Sequence, residues 1–362
     1  MPSPITFSIC IPQYGRSQYL LLVLESLRAQ RYPHFEVVIS DDCSKDDTAE
    51  VIPDYLKRTG LRYRFHRQER NLGYDANLRA VLGMGAGDYL LILGNDDALA
   101  GETALGELAD TLEEYGRPEA VISNYRMWAP DGRGEVISRI LKTALLPSGS
   151  GTAVAHYRDF AFVGGIAFQR EAFKRADTPA YDRSIFVQVY LGCKIITDGG
   201  RLLLWERVLV DKDVKAGGQA PFSYKDIERS KKRRIEPDSQ GLASIAWVAV
   251  EASFPALPGA AARDSAMMRI YKPLLRFTYP GWLYAHRKEG FWRAALCMAW
   301  GCYPPVLLKL TDHSAWVTLR LMPGYLFSTL AGFLLPLSLI GRLLPWGHRF
   351  SKKQQLAKPP VL

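Results

Sequence analysis

The sequence predicts an α/β fold: a mostly parallel, doubly wound sheet over the first 215 residues, followed by a helical C-terminal region. Three observations carry that expectation. Short apolar runs of strand length alternate with helix-period segments through the first hundred residues, the pattern of a parallel sheet with crossover helices. Two of the predicted strands, the second and the fourth, end in paired aspartates, Asp41-Asp42 and Asp96-Asp97. After about residue 240 the alternation stops, and helical spacing crowded with aromatic and basic residues takes over.

The elements follow in order. Phe7-Ser8-Ile9-Cys10-Ile11 reads as a buried strand stopped by Pro12, which lacks an N–H to donate, and by a polar loop through Ser17. Leu20, Leu24 and Leu27 recur at helical spacing between Tyr19 and Gln30. Phe35 to Ser40 is the second strand, and Asp46, Asp47 and Thr48 can cap a helix to about Arg58. Tyr63 to His66 is a third strand, Asn71 to Met84 a helix after an Asn71-Leu72-Gly73 loop, and Tyr89 to Leu93 a fourth strand. The paired acids then fall along one edge of the sheet, where open α/β sheets bind their ligands.

Leu90-Leu91-Ile92-Leu93-Gly94-Asn95-Asp96-Asp97 is the stretch with the most chemistry. Adjacent carboxylates at the end of a buried strand repel and are hard to desolvate unless a cation sits beside them. A hard divalent metal carrying a phosphate-bearing substrate meets that need. A solvated turn is the plain alternative, because Asn and Asp are also turn formers. Neither a GxGxxG after the first strand nor a GxxxxGK[ST] is present, which argues against a dinucleotide fold and a P-loop kinase.

Composition bounds the rest. A chain of 362 residues that is 48% hydrophobic has enough apolar material for a large core, which excludes global disorder. The net charge of +9 suits a nucleic acid, an anionic membrane or a phosphorylated substrate. The excess gathers in Lys231-Lys232-Arg233-Arg234, Arg287-Lys288 and Lys352-Lys353. Cys10, Cys43, Cys193, Cys297 and Cys302 are scattered with no CxxC pair, so reduced thiols in a cytosolic setting are expected and a zinc site is not. The N-terminus runs into its first strand without the basic and apolar regions of a signal peptide.

Ser8-Ile9-Cys10-Ile11-Pro12-Gln13-Tyr14-Gly15-Arg16 resembles the opening of family 2 glycosyltransferases of the GT-A fold. So do Leu24 to Gln30, Phe35 to Ser44, Asn71-Leu72-Gly73, Gly87 to Asp97 and the Gly164-Gly165 segment through Phe173, all in the family's order. The resemblance covers roughly residues 5 to 215 and implies a Rossmann-like GT-A catalytic domain. It implies that Asp42 bonds the base of a nucleotide-sugar, with Pro12 and Tyr14 lining the base pocket and Asn71 in the adjoining loop. Asp96 would contact the ribose or diphosphate, and Asp97 would bind Mg²⁺ or Mn²⁺. Arg79 could support the phosphates, although a solvated helix face is the plainer reading. Asn95 stands where the family often has Asp, which lowers the expected metal affinity. The departure concerns the general base: the expected carboxylate position holds Val187 or Gln188. Asp182 is the nearest acid, with Asp159, Asp211 and Asp213 behind it. His156, which precedes the Gly-Gly segment, is read as structural.

Residues 216–240 read as a basic linker and 241–362 as a helical, membrane-associating region. Trp282, Trp292, Trp300 and Trp316 interleaved with Arg287, Lys288 and Arg293 suit a membrane interface. Tyr325 to Leu344 approaches the length of a membrane span but is interrupted by Gly332, Pro336, Gly341 and Arg342, so an interfacial or broken segment is expected. A pair of core helices is the alternative. The resemblance implies a metal-dependent, inverting glycosyltransferase, and the aromatic and basic tail points to the cytoplasmic face of the membrane. A UDP-sugar is the favoured donor, and a glycan or polyprenyl-diphosphate-linked oligosaccharide of a bacterial surface the expected acceptor. A nucleotidyltransferase would want a glycine-rich basic loop after the first strand, and only Arg16 is offered there. A nucleotide-binding scaffold of a glycan-assembly complex, catalytically impaired, is the alternative that Val187 and Gln188 favour. No motif supports nucleic-acid binding.

Overall fold

The computed structural model of the chain describes residues 3–128, 134–213, 239–309, 311 and 313–342. It divides into two compact units. The first comprises residues 1–148, 159–183 and 194–227, and the second residues 149–158, 184–193 and 228–362. The basic stretches at 228–234 and 346–353 lie outside the described residues.

The first unit is built on one ten-stranded sheet. Its strands are β1 (Phe7–Gln13), β2 (Phe35–Asp41), β3 (Tyr63–Arg67), β4 (Tyr89–Ile92), β5 (Ala98–Leu99), β6 (Ala120–Trp128), β7 (Gly134–Ile137), β8 (Ala144–Leu146), β9 (Ile166–Gln169) and β10 (Leu202–Lys212). The principal order is β3-β2-β1-β4-β9-β6-β10-β5, with β7 on β6 and β8 on β10. The first four strands in that order are parallel, as the alternation of strands and helices predicts. β9 then enters antiparallel between β4 and β6, so the sheet as a whole is mixed. The crossover helices α1 (Ser17–Arg28), α2 (Thr48–Thr59) and α3 (Tyr74–Met84) lie where the periodicity places them, and α4 (Ala104–Glu114) follows.

Both faces of the central strands are covered. Phe7, Ile9 and Ile11 of β1, Val37 and Ile39 of β2, and Leu91 of β4 pack with Leu20, Leu24 and Leu27 of α1. Each such side chain contributes roughly 1.5–3 kcal/mol on leaving water, and the near-continuous apolar runs follow from burial on both faces.

One boundary differs from expectation. β1 does not stop at Pro12; it continues to Gln13, with Pro12 opposite Ser40. In a parallel strand alternate residues turn their backbone groups to opposite neighbours. Cys10 O accepts from Leu93 N on the β4 side, so Pro12 faces that side too, beyond the last β4 pairing at Ile92. The proline nitrogen therefore leaves no ladder bond unmade. The strand carries its polar residues further than predicted and brings Gln13 level with Asp41.

The second unit is helical. It takes α5 (Ser150–His156), the first part of α7 (Val187–Thr197), α8 (Ser239–Ser253), α9 (Gly259–Pro273), α10 (Tyr279–Lys288), α11 (Trp292–Cys302), the short α12 (Pro304–Leu307) and α13 (Ala315–Leu334); α6 (Arg170–Ala176) belongs to the first. A π turn, Leu274–Thr278, joins α9 to α10. Polar ties fix the helices: Tyr157 Oη donates to Ile270 O at 2.9 Å, Ser150 Oγ to Ser253 O at 3.0 Å, and Tyr325 Oη to Ala299 O at 2.9 Å. These first two ties draw residues 149–158 into the helical unit, so that unit is discontinuous in sequence.

The apolar run expected from Tyr325 begins ten residues earlier, as α13, and is unbroken to Leu334. Gly332 does not interrupt it; a Cβ there would lie 2.7 Å from Leu283 Cδ1, so this glycine permits close helix packing. The chain leaves the helix just before Pro336, as expected for a residue that cannot continue it. α13 is long and apolar enough to cross a membrane, and 28% of its most apolar window is buried in the protein.

Candidate active site

The parallel strands β1, β2 and β4 end together, which gathers Gln13, Asp41, Asp42 and the Gly94–Asp97 turn at one edge of the sheet. Asp42 is buried, and its two carboxylate oxygens accept from Leu72 N at 2.5 Å and Gly73 N at 3.0 Å. Asn71 Nδ2 donates to Asp42 O at 3.2 Å. The Asn71-Leu72-Gly73 loop is thus pinned to the end of β2 before α3 begins. Desolvation raises the Asp42 carboxyl above its ordinary value, although the two backbone N–H groups oppose that shift. Each oxygen keeps a lone pair for a further donor.

Asp41 has a different task. Its carboxylate accepts from Ser44 N at 3.2 Å and from Ser44 Oγ, which closes the turn after β2. Arg67 stands 3.5 Å away on β3.

Asp96 and Asp97 have unlike environments. Asp96 Oδ2 accepts from Arg16 Nη1 at 2.8 Å, and its side chain remains 22% exposed. Asp97 is 3% exposed. Desolvation first, then the charge of Asp96, pushes its carboxyl from an ordinary 3.8 up to about 7. Asp213 N donates to Asp97 Oδ1 at 3.2 Å, and the Asp213 carboxylate takes Lys212 Nζ at 2.5 Å. Two glycines make the space around Oδ2. A Cβ on Gly94 would lie 2.7 Å from it, and one on Gly164 would lie 3.0 Å from it. A buried carboxylate held in a glycine-walled cradle, beside a second carboxylate, is a donor set suited to a hard cation. Among the described residues no group of three or more His, Cys, Asp or Glu side chains converges to hold a metal. Mg²⁺ and Mn²⁺ sites of one or two carboxylates completed by substrate phosphates need no such group.

The other predicted residues fall as follows. Pro12 lies within β1, and Tyr14 follows the strand with half its surface exposed. Asp182 is not isolated: its carboxylate accepts from Arg79 Nη1 at 3.0 and 3.2 Å, while Arg79 Nε reaches Asp177 at 2.6 Å. Arg79 is therefore bridged to two acids rather than lying on a solvated helix face. Asp211 is held by Arg126 in a two-point pair at 2.6 and 2.8 Å. Val187 and Gln188 open α7 and are both buried.

Several site residues escaped sequence reasoning. Gln13 Oε1 accepts from Asn95 Nδ2 at 2.9 Å, so β1 fixes the first residue of the acidic turn. Arg16, in the left-handed region at φ 64°, reaches across to Asp96. Arg139 donates to four backbone carbonyls, Ser123, Asp159, Phe162 and Gly164, at 2.6–2.9 Å. It thereby shapes the Gly164-Gly165 segment that borders Asp97. Burial pushes the Arg139 guanidinium down to about 10. Only Arg16 carried a sequence signal, as the single cation of the first loop; the others depend on contacts far apart in sequence.

Comparisons with known proteins place this edge of the sheet, with its aspartates beneath a glycine-rich border, inside a matched family domain. Residues 8–168 match the family described as glycosyl transferase family 2. The abequosyltransferase RfbV of Salmonella typhimurium is 39% identical over 95 residues, 26% of this chain and 28% of that protein. The poly(ribitol-phosphate) beta-N-acetylglucosaminyltransferase TarS of Staphylococcus aureus is 33% identical over 141 residues, 38% of this chain and 24% of that protein. The chain thus matches about a quarter of the length of these curated relatives. A crystal structure of S. aureus TarS 1–349 in complex with UDP has the same fold, with a TM-score of 0.55 at 17% identity, over 97% of this chain and 89% of that one.

Proposed function

We propose that the first unit transfers a sugar from a nucleoside-diphosphate sugar, UDP-linked by preference, to a glycan or polyprenyl-diphosphate-linked acceptor in bacterial surface-glycan biosynthesis. The observation that carries this reading is the buried Asp97, set in its glycine-walled cradle beside Asp96 at the end of the parallel strands. The names of RfbV and TarS, both sugar transferases, favour the same reaction.

Asp42 takes a donor N–H of the nucleobase on its spare lone pairs, with Tyr14, Pro12 and the Asn71 loop beside it. Asp96, exchanging its bond with Arg16, faces the ribose and diphosphate, and Arg16 is then placed to meet phosphate oxygens. Asp97, with Asp96, would hold Mg²⁺ or Mn²⁺, which as a Lewis acid stabilises the charge of the leaving diphosphate. An acceptor oxygen attacks the anomeric carbon, the bond to the phosphate oxygen breaks, and the configuration inverts. Asp182 receives the hydroxyl proton once its pair with Arg79 opens. The exposed apolar face of α13 and its aromatic neighbours suit attachment to the cytoplasmic face of the membrane.

The test is calorimetric titration of UDP, GDP, CDP and dTDP with and without Mn²⁺, on wild type and Asp97→Ala. One nucleoside diphosphate should bind in a metal-dependent way that the substitution abolishes. Folded protein that binds none of them refutes the transferase reading. Asp182→Asn should keep that binding and lose turnover; unchanged turnover would remove Asp182 from the mechanism. Binding without turnover in the wild type itself, at any acceptor, is the outcome that the buried Val187 and Gln188 lead a scaffold reading to expect.

A further inference from the structure

The loop between β1 and α1 fixes Arg16 by its backbone and aims its side chain at the acidic turn. Gly15 N donates to Ser44 Oγ at 2.8 Å, Gly15 O accepts from Gln13 Nε2 at 2.5 Å, and Ser17 N donates to Asp46 Oδ2 at 3.1 Å. Arg16 O accepts from Tyr19 N at 3.0 Å and Leu20 N at 3.3 Å, so this residue opens α1. Between these ties Gly15 and Arg16 stand at φ 62° and 64°. Glycine enters that region freely, whereas a side chain bearing a Cβ is strained there. A strained residue clamped on both sides marks a side chain whose direction matters.

Arg16 and Lys212 each hold a carboxylate of the site. Asp96 Oδ2 takes Arg16 Nη1 at 2.8 Å, and Asp213 Oδ2 takes Lys212 Nζ at 2.5 Å. The side chains of the first pair are 25% and 22% exposed, so little water screens them. Desolvation raises the Asp96 carboxyl, and the charge of Arg16 does most to oppose that rise. The other oxygen of Asp96 borders the cradle of Asp97. The point where a Gly94 Cβ would stand is 3.3 Å from Asp96 Oδ1 and 2.7 Å from Asp97 Oδ2. Asp96 therefore has a guanidinium on one oxygen and the cradle beside the other.

A divalent cation entering that cradle would share Asp96 with a like charge, and a weakly screened site magnifies the repulsion. A nucleoside diphosphate relieves it. Phosphate oxygens offer a guanidinium fork a two-point anionic partner, a stronger attachment than one carboxylate oxygen gives.

We propose that Arg16 stands in for the metal ion on Asp96 while the donor is absent and passes to the diphosphate when it arrives, so that divalent metal and nucleoside diphosphate bind cooperatively through this exchange. The proposal rests on the transferase reading and gives Arg16 a role that a plain phosphate ligand lacks: it weakens metal binding to the protein alone. Each ligand then raises the affinity of the other by the same factor, because coupling between sites is reciprocal.

The experiment is calorimetric titration of Mn²⁺ into the full chain at pH 8, without nucleotide and with whichever of UDP, GDP, CDP and dTDP the wild type binds. Without nucleotide, Arg16→Gln should bind Mn²⁺ about tenfold more tightly than wild type, a difference of about 1.4 kcal/mol. The factor by which nucleotide raises Mn²⁺ affinity should shrink by about the same tenfold. Arg16→Asn, better suited to left-handed backbone, carries the same expectation and serves if circular dichroism shows the Gln variant unfolded. Arg16→Lys keeps a charge beside Asp96 and should stay near wild type. Arg67 stands 3.5 Å from Asp41 at the same edge of the sheet, so Arg67→Gln removes an equal charge from a different acid and should leave Mn²⁺ binding unchanged.

Unaided Mn²⁺ binding that is unchanged or weaker in Arg16→Gln overturns the proposal even where nucleotide affinity falls, since Arg16 would then be a phosphate ligand and nothing more. Equal tightening in Arg67→Gln overturns it as well, because the effect would belong to net charge rather than to this pair. Wild type that binds no nucleoside diphosphate with Mn²⁺ removes the transferase reading and the proposal together. Wild type that binds one, beside an Arg16→Gln variant that behaves identically, removes the proposal alone.

Discussion

Replacing Asp97 by Asn should make the protein more stable at neutral and alkaline pH while abolishing metal-dependent nucleotide binding. Desolvation and the charge of Asp96 raise the carboxyl from 3.8 to about 7. At about 1.36 kcal/mol for each tenfold in proton affinity, this is on the order of 4 kcal/mol of native-state destabilisation. The sign follows from proton counts. Between pH 3.8 and about 7 the native state holds a proton that the unfolded chain has released, so this group lowers stability as pH rises through that window. Above about 7 both states are ionised and the full deficit is present. Asn is nearly isosteric and its oxygen can still accept from Asp213 N, so the substitution removes charge and little else. Urea unfolding of both proteins from pH 5 to pH 8 is the assay. The variant should gain roughly 2–4 kcal/mol at pH 8 and much less at pH 5. A variant no more stable than wild type at pH 8, or a difference that does not grow with pH, refutes the claim that Asp97 is held ionised against its surroundings.

Two other outcomes are expected. Asp42→Asn places an NH₂ against one of the two backbone N–H groups, so stability should fall by about 1–3 kcal/mol; UDP affinity should fall with it, and unchanged values in urea unfolding and calorimetry would separate Asp42 from both roles. Gly165 has φ +78° and a Cβ there would lie 2.2 Å from Ser123 Oγ, so Gly165→Ala should cost about 2–4 kcal/mol in the same unfolding assay; a loss that Ser123→Ala does not partly restore would place the strain in the backbone alone.

What the sequence by itself determined is the part of the molecule written in local patterns. Apolar runs and helical spacing are properties of consecutive residues, and they located β1 to β4 and α1 to α3 to within a few residues. The paired acids were legible for the same reason, since Asp41-Asp42 closes β2 and Asp96-Asp97 lies in the turn just after β4. Where locality fails, the tertiary structure decided. Pro12 reads as a terminator, yet it remains in β1 because the neighbouring β4 has already ended. Desolvation raises both Asp96 and Asp97, and what offsets or sharpens it comes from Arg16, 80 residues from Asp96, and from Gly164 beyond β6. Arg139 looks like any surface arginine until four carbonyls from separate segments converge on it. The antiparallel entry of β9 beside β4 and the union of residues 149–158 with the distant helices are likewise non-local. The chain sets its strands by near neighbours, but the charge state of its acids is set by whatever the fold brings against them.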